Sequence, residues 1–218
     1  MALLSSYADA NDYRLFNGRV SQDEDALLTE WLPGISRVAE KRARVAPGGF
    51  NSHTGTYVFD GSGTDTLYLR DASGLGYFLQ SITANSLKID TDRDGSFDDY
   101  TWDLDDAWVV GLPPNAEAQS EPYKALRILP ITTAPRTVFP SDKQCIEITG
   151  TWGWAAVPFG IKSRVVGIAR ELLDAHRAGA RMGGVSVEDM IDRIPAARGM
   201  MSLLEREYSR YVPKARAV

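Results

Sequence analysis

Leu27, Leu28, Trp31, Leu32, Ile35 and Val38 recur at three- and four-residue spacing, the period that lays side chains along one face of a helix. Just upstream, Ser21-Gln22-Asp23-Glu24 has the form of a capping box, a hydroxyl at the N-cap and a carboxylate three residues later. Pro33 falls inside the apolar pattern. It removes an amide donor and crowds the preceding turn, so a kink or a split is predicted there. Lys41, Arg42 and Arg44 occupy the last turn, where cations suit the negative end of the helix dipole, and Pro47-Gly48-Gly49 stops the helix. A shorter helix is predicted from Tyr7 to Phe16, closed by Asn17-Gly18.

From Asn51 to Thr151 the pattern changes to short β-prone runs separated by turn residues. Thr56 to Phe59, then Asp60-Gly61-Ser62-Gly63, then Thr66 to Leu69 predict a hairpin, with glycines free to take positive φ in the turn. Further strands are predicted at Phe78 to Thr83, Ser86 to Asp90, Tyr100 to Leu104, Tyr123 to Leu129 and Cys145 to Thr149. Gly111 through Pro122 reads as a loop, and so does Pro130 to Pro140. The strands do not alternate with helices, which argues against a parallel sheet.

The last third returns to helical spacing. Pro158 suits a first turn, and Ile161, Val165, Ile168, Ala169, Leu172 and Leu173 form an apolar stripe that His176 extends. Gly179 to Gly184 ends it. Ser186 caps a short helix, and Pro195 opens another through Met200, Leu203, Leu204 and Tyr208. The expected architecture is α+β: an α-helical bundle with an inserted antiparallel β-sheet and hairpin region. Residues 1–50 supply the N-terminal helices, 51–152 the β-rich insertion, 153–212 the C-terminal helices and 213–218 a flexible tail.

A net charge of -5 argues against a protein whose main task is gripping nucleic acid, since such proteins show a basic excess. It suits a surface that lets DNA pass without sticking. One cysteine, Cys145, rules out an internal disulfide; its apolar setting favours a buried strand residue over a reactive thiol. Met1 to Tyr7 has no signal-peptide pattern and no apolar run nears the ~20 residues that span a bilayer, so a soluble protein made in a cytoplasm is expected.

His53 and His176 are the only imidazoles, one in a polar turn and one late on a helix. No nucleophile, metalloprotease, P-loop or dithiol signature accompanies them, so no enzyme is expected. Asp90, Asp92, Asp94 and Asp98, with Gly95 between, match the first part of a calcium loop, in which alternate oxygens converge on one hard cation. The closing Glu of such a loop is replaced by Thr101, and strands flank the segment. A solvated hairpin turn and a structural calcium site both remain open, and with calcium goes an alternative function, a calcium-dependent β-type binding module. Trp102, Trp108, Trp152 and Trp154 suit either a β core or an interface. Arg164, Arg170, Arg177 and Arg181 make either a solvated helix face or a contact for an acidic partner.

The run Ile148-Thr149-Gly150-Thr151-Trp152-Gly153-Trp154-Ala155-Ala156-Val157-Pro158-Phe159-Gly160-Ile161 resembles the strand-to-helix junction of head-tail connector (adaptor, or head-completion) proteins of long-tailed phages. The segments Tyr57 to Leu69, Ile89 to Tyr100 and Leu112-Pro113-Pro114-Asn115 look like the same family, as does the closing helix that ends in Tyr208-Ser209-Arg210-Tyr211. The likeness covers roughly Tyr7 to Tyr211; the linker from Ala178 to Ser186 departs from it. The resemblance implies a virion protein of the neck, between head and tail. It would form a homo-oligomeric ring, commonly a dodecamer, seated on the portal protein and receiving the stopper or tail on its other face. Genomic DNA would pass through the lumen without sequence-specific binding, with no cofactor, no membrane and no catalysis. Helices and the C-terminal end, Tyr211 and Lys214 among them, would meet the portal, and loops of the β insertion would meet neighbouring subunits or the next ring.

Overall fold

The computed structural model describes residues 6–102, 109–112, 121–130, 137–180 and 184–211. In chain order the elements are α1 (Ala10–Asn17), α2 (Gln22–Ala43), β1 (His53–Phe59), β2 (Thr66–Tyr68), β3 (Leu79–Ile89), β4 (Tyr100–Trp102), β5 (Val109–Leu112), β6 (Ala125–Ile128), β7 (Ile146–Trp152), α3 (Phe159–Arg177), α4 (Val187–Arg193) and α5 (Pro195–Tyr211). The fold is α+β. It divides into a helical unit, drawn from Met1–Gly48 and Val157–Val212, and a β unit, Gly49–Ala156.

In the helical unit, local chemistry sets where each helix begins. Asp9 and Asp12 form a reciprocal capping box at α1, with Asp12 N donating to Asp9 Oδ1 at 2.8 Å and Asp9 N to Asp12 Oδ2 at 3.0 Å. Ser21 and Glu24 do the same for α2, and the Ser186 hydroxyl accepts from Asp189 N at α4. α2 continues through Pro33 as one helix of 22 residues, so the chain does not split there. Buried Leu28, Trp31 and Leu32 before the proline and Ile35, Val38 and Ala39 after it pack on α3, α4 and α5. Burial worth ~1.5–3 kcal/mol for each large side chain on both sides of Pro33 offsets the proline penalty. Gly34 lets α4 approach closely, since a Cβ there would lie 2.7 Å from Val187 Cγ2.

The α3 stripe is buried as its spacing predicts, although His176 at its end is exposed, edge-on to Trp31. On α5 the buried face is Ala197, Met201, Leu204 and Tyr208, while Met200 is half-buried and Leu203 exposed. The sequence pattern there is rich enough in apolar residues to permit two neighbouring stripes. Close packing of α5 against α3 selects the one that includes small Ala197.

The β unit holds a four-stranded sheet in the order β1-β7-β3-β4 and a three-stranded sheet in the order β2-β6-β5, with antiparallel pairing throughout. The predicted hairpin of β1 with β2 does not form. β1 pairs with β7 from His53↔Trp152 to Phe59↔Ile146, and β2 pairs with β6 in the other sheet. The glycine turn is instead a crossing between sheets, where Gly61 N donates to Asp142 O at 2.7 Å and Gly63 N to Pro140 O at 3.0 Å. A Cβ on Gly61 would lie 2.0 Å from the Pro140 carbonyl oxygen, so the glycine serves close backbone approach. The two predicted strands at 78–90 are one strand, β3, irregular against β7 between Ile82 and Leu87. Gly111 and Leu112, expected in a loop, belong to β5; the Tyr123 ring fills the space a Cβ on Gly111 would need.

Inward residues of both sheets share one core, among them Phe59, Leu67, Leu79, Leu87, Leu126, Ile146, Ile148 and Trp152, joined by Phe139 from the segment between β6 and β7. β7 shows the period-2 signature, with Ile146, Ile148, Gly150 and Trp152 buried and the residues between them half-buried. Cys145 is buried, one residue before the strand it was expected to open.

Candidate functional site

The junction that leaves β7 is built on three aromatic and glycine positions. Trp152 is 1% exposed, donates from Nε1 to Gly55 O at 2.9 Å and meets the Tyr57 ring edge-to-face at 5.0 Å between centroids. Gly153 sits at φ +87, donates to Phe78 O at 2.7 Å, and would place a Cβ 2.0 Å from Asn51 O, so only glycine fits. Trp154 is 6% exposed and stacks on Phe50 at 6.1 Å. Pro158 is the N-cap of α3, and its carbonyl accepts from Ile161 N and Lys162 N at 2.9 and 3.0 Å. The interface reading of Trp152 and Trp154 is therefore corrected: their indoles fill the interior of the β unit, and neither offers a surface to a partner.

The aspartate-rich segment joins β3 to β4. Because Ile89 pairs with Tyr100, the chain returns on itself and brings Asp90 and Asp99 together at the base of the loop. Carboxylate oxygens of Asp90, Asp92 and Asp99 lie within 4.8 Å of one another. The predicted quartet of Asp90, Asp92, Asp94 and Asp98 does not assemble: Asp94 and Asp98 are outside this group, and Asp99, which the calcium-loop spacing passed over, is inside it.

Most of these oxygens serve the loop's own backbone. Asp90 accepts from Arg93 N at 2.7 Å and Gly95 N at 3.1 Å. Asp99 Oδ2 accepts from Thr91 N, Thr91 Oγ1 and Asp92 N at 2.6, 2.7 and 3.1 Å. Asp92 accepts from Asp94 N, and Asp94 from Ser96 N. The Asp94 amide favours ionised Asp92, but desolvation and the carboxylates of Asp94, Asp99 and Asp90 outweigh it and lift Asp92 above the ordinary aspartate range. The arrangement is that of a self-capped turn.

On the helical unit, α1 and α3 enclose an open, polar pocket of about 340 Å³ lined by Tyr13, Phe16, Arg19, Arg170, Asp174 and Arg177. Arg177, expected as a partner contact, is engaged within the chain. Its Nε donates to Glu24 Oε1 at 2.7 Å and its Nη1 to Asp174 Oδ1 at 3.2 Å. The hydrogen bond from Arg177, aided by the Ser21 amide, holds Glu24 down at about 2. Arg170 lies 3.6 Å from Asp174. Arg164 is half-buried on α3, and Arg19 is exposed; neither makes an ion pair among the described residues. Phe16, which lines the pocket, is 46% exposed, and its ring lies 5.8 Å from that of Phe159, itself 71% exposed; Leu15 on α1 is exposed at 83%.

Sequence reasoning missed Arg19, Leu15, Phe16 and Phe159. An exposed phenylalanine at the first position of α3 is legible only when the helix start and its buried stripe are both known. Tyr211 is half-buried, with its hydroxyl donating to Glu207 at 3.4 Å. Lys214, Arg181, Trp108 and Pro113 to Asn115 lie outside the described residues.

Neither imidazole is joined to a nucleophile among the described residues. The His53 ring contacts Asn51 O at 3.0 Å and the Tyr57 hydroxyl at 2.9 Å, and His176 packs on Trp31. The Cys145 thiol donates to Asp142 O at 3.0 Å, and burial pushes it up, away from the thiolate a nucleophile requires.

No family model matches the chain, and no curated protein matches it. Among solved structures, one chain of a structure described as "Virion of native gene transfer agent (GTA) particle" is similar over 85% of this chain and 87% of its own, at 17% identity and a TM-score of 0.43. Likeness at that level is too loose to argue from. No helix among the described residues is long and apolar enough to cross a membrane.

Proposed function

We propose that this chain is a structural subunit of a tailed-phage virion, a head-to-tail adaptor that forms a ring under the portal. It joins the capsid to the stopper or tail, with genomic DNA passing through the centre and no chemistry performed on it. The observation that carries the reading is the Trp152-Gly153-Trp154 to Val157-Pro158 junction, which resembles that of the connector family. Each residue type in it has a structural reason here: a core indole, a glycine no other residue can replace, a second core indole and a proline N-cap. Such a junction serves a scaffold. Each of its residues is accounted for by packing or backbone geometry, which accords with a protein that works through surfaces.

The test is to mix the purified chain with the portal protein of the same phage and examine the product by co-sedimentation and negative-stain microscopy. A ring of added density on the portal face that meets the tail is expected. Absence of both co-sedimentation and added density overturns the proposal. A calcium-dependent module is the weaker reading, because the amides of the loop already occupy oxygens that a cation would need.

A further inference from the structure

We infer that the arginine-rich pocket between α1 and α3 receives the aspartate-rich β3–β4 loop of a second copy of the same chain. The inference deepens the ring reading and rests on it. Two surfaces in one sequence carry complementary chemistry. The pocket presents Arg19, Arg170 and Arg177 against one lining carboxylate, Asp174. Glu24 takes up part of Arg177, which leaves a net positive site on a protein of net charge -5. One wall is aromatic, with Tyr13 and the exposed Phe16 lining the pocket together with the guanidinium groups.

The loop offers the opposite set. Asp92, Asp94 and Asp98 are exposed on it, and Phe97 is half-buried among them. Its one cation, Arg93, is neutralised within the chain by Asp142. Asp98 makes no hydrogen bond or ion pair among the described residues, as Arg19 makes no ion pair. The loop is also rigid enough to dock. Six carboxylate–amide bonds, from Asp90, Asp92, Asp94 and Asp99, fix its backbone, so little ordering entropy is lost on contact. A pocket on one copy and a loop on the next make a heterologous contact, the kind that repeats head to tail and closes into a ring. Guanidinium groups supply planar, bidentate recognition of carboxylates, and the aromatic wall takes the phenylalanine.

A charge exchange tests this. Arg19→Asp and Asp98→Arg each alter an exposed residue with no ion pair among the described residues, so both variants should fold as wild type by circular dichroism. Self-association of the full chain is read by sedimentation velocity across concentration and salt. Each single reversal should weaken association by about ten-fold or more. The two single variants mixed together present one restored pocket–loop contact between unlike copies, and the double variant Arg19→Asp/Asp98→Arg restores it at every contact. Both should recover association.

A wild-type chain that stays monomeric at every concentration reached, single reversals without effect, or a double variant that fails to recover would each overturn the inference. Portal co-sedimentation of the same proteins separates this outcome from the adaptor reading. Portal binding without a charge-exchange effect sinks only the pocket–loop contact. Charge-sensitive self-association without portal binding upholds the contact and sinks the adaptor role.

Discussion

Glu40 stands near the end of α2, 2% exposed, and donors from three segments converge on its carboxylate. The Tyr7 hydroxyl, from the segment before α1, and the Arg37 guanidinium, one turn back on α2, both bond to it. Gly48 N, just past the helix, donates at 2.8 Å. Tyr7 is held a second time where its amide donates to the Ser36 hydroxyl at 3.1 Å. The N-terminal segment and the chain leaving α2 are thus tied to one buried acid.

Replacing Glu40 with alanine strips a buried amide at Gly48 of its acceptor and removes the counter-charge of Arg37, whose side chain is 27% exposed and partly reached by water. A stranded buried donor costs ~1–3 kcal/mol, and breaking a buried ion pair from one side costs ~3–5 kcal/mol. A loss of about 3–5 kcal/mol is expected for Glu40→Ala. Glu40→Gln keeps an oxygen for Tyr7 and Gly48 and sets an amide against Arg37, so about 1–2 kcal/mol is expected.

Burial is the dominant influence on this carboxyl and raises it above the ordinary glutamate range, against the opposing pull of Tyr7, Arg37 and Gly48. The native state therefore holds this proton more tightly than the unfolded chain. The associated stability is fully present below the ordinary glutamate range and is lost as pH rises through the folded value. Urea unfolding followed by far-UV circular dichroism, at a series of pH values, measures both effects. The difference between wild type and Glu40→Gln should change with pH in that sense. A Glu40→Ala variant within about 1 kcal/mol of wild type would refute the reasoning.

Glu24 predicts the opposite sign of pH dependence. Held down at about 2 by Arg177 from an ordinary 4.5, it contributes stability that is present above 4.5 and lost as pH falls toward 2, and Glu24→Gln should erase that part of the acid limb in pH-dependent melts. Gly153→Ala should cost upwards of ~3 kcal/mol and lower soluble expression, because a positive φ and a Cβ 2.0 Å from Asn51 O combine; thermal melting of the purified variant checks it. Trp152→Ala should cost ~3–5 kcal/mol in the same melts, and Trp152→Phe much less, if the indole is core. Added calcium should leave the melting temperature unchanged, while Asp99→Ala should lower it by releasing the Thr91 and Asp92 amides; a calcium-dependent rise would mean that the cation displaces those bonds.

What the sequence made legible was local. The Ser21–Glu24 cap and the α3 stripe depend on neighbours within one or two turns, and both are where spacing puts them. The misreadings lie where a distant segment decides. Phe59 to Thr66 has every mark of a hairpin turn, yet the backbone of 139–142 claims Gly61 and Gly63 and sends β1 and β2 to different sheets. Asp99 escaped the calcium-loop spacing because strand pairing at Ile89 and Tyr100, and not helical geometry, sets which carboxylates meet.

The tryptophans show the same limit from the other side. Trp152 and Trp154 are two residues apart, so strand alternation would set both on one face without saying which face is inside. The strand ends at Trp152 and Gly153 takes a positive φ, and both indoles are buried. Burying those indoles removes two of the four tryptophans that composition offered for an interface. The exposed aromatic surface beside net positive charge is Phe16, in the pocket that Arg19, Arg170 and Arg177 line, with the Phe159 ring near it. No periodicity marks it, because residues of α1 and α3 that are far apart in sequence create it jointly when Lys162 pairs with Asp12 and Arg177 with Glu24. Any partner surface on the helical unit is therefore a property of the packed helices, and charge reversal at Arg19 probes it without touching either helix core.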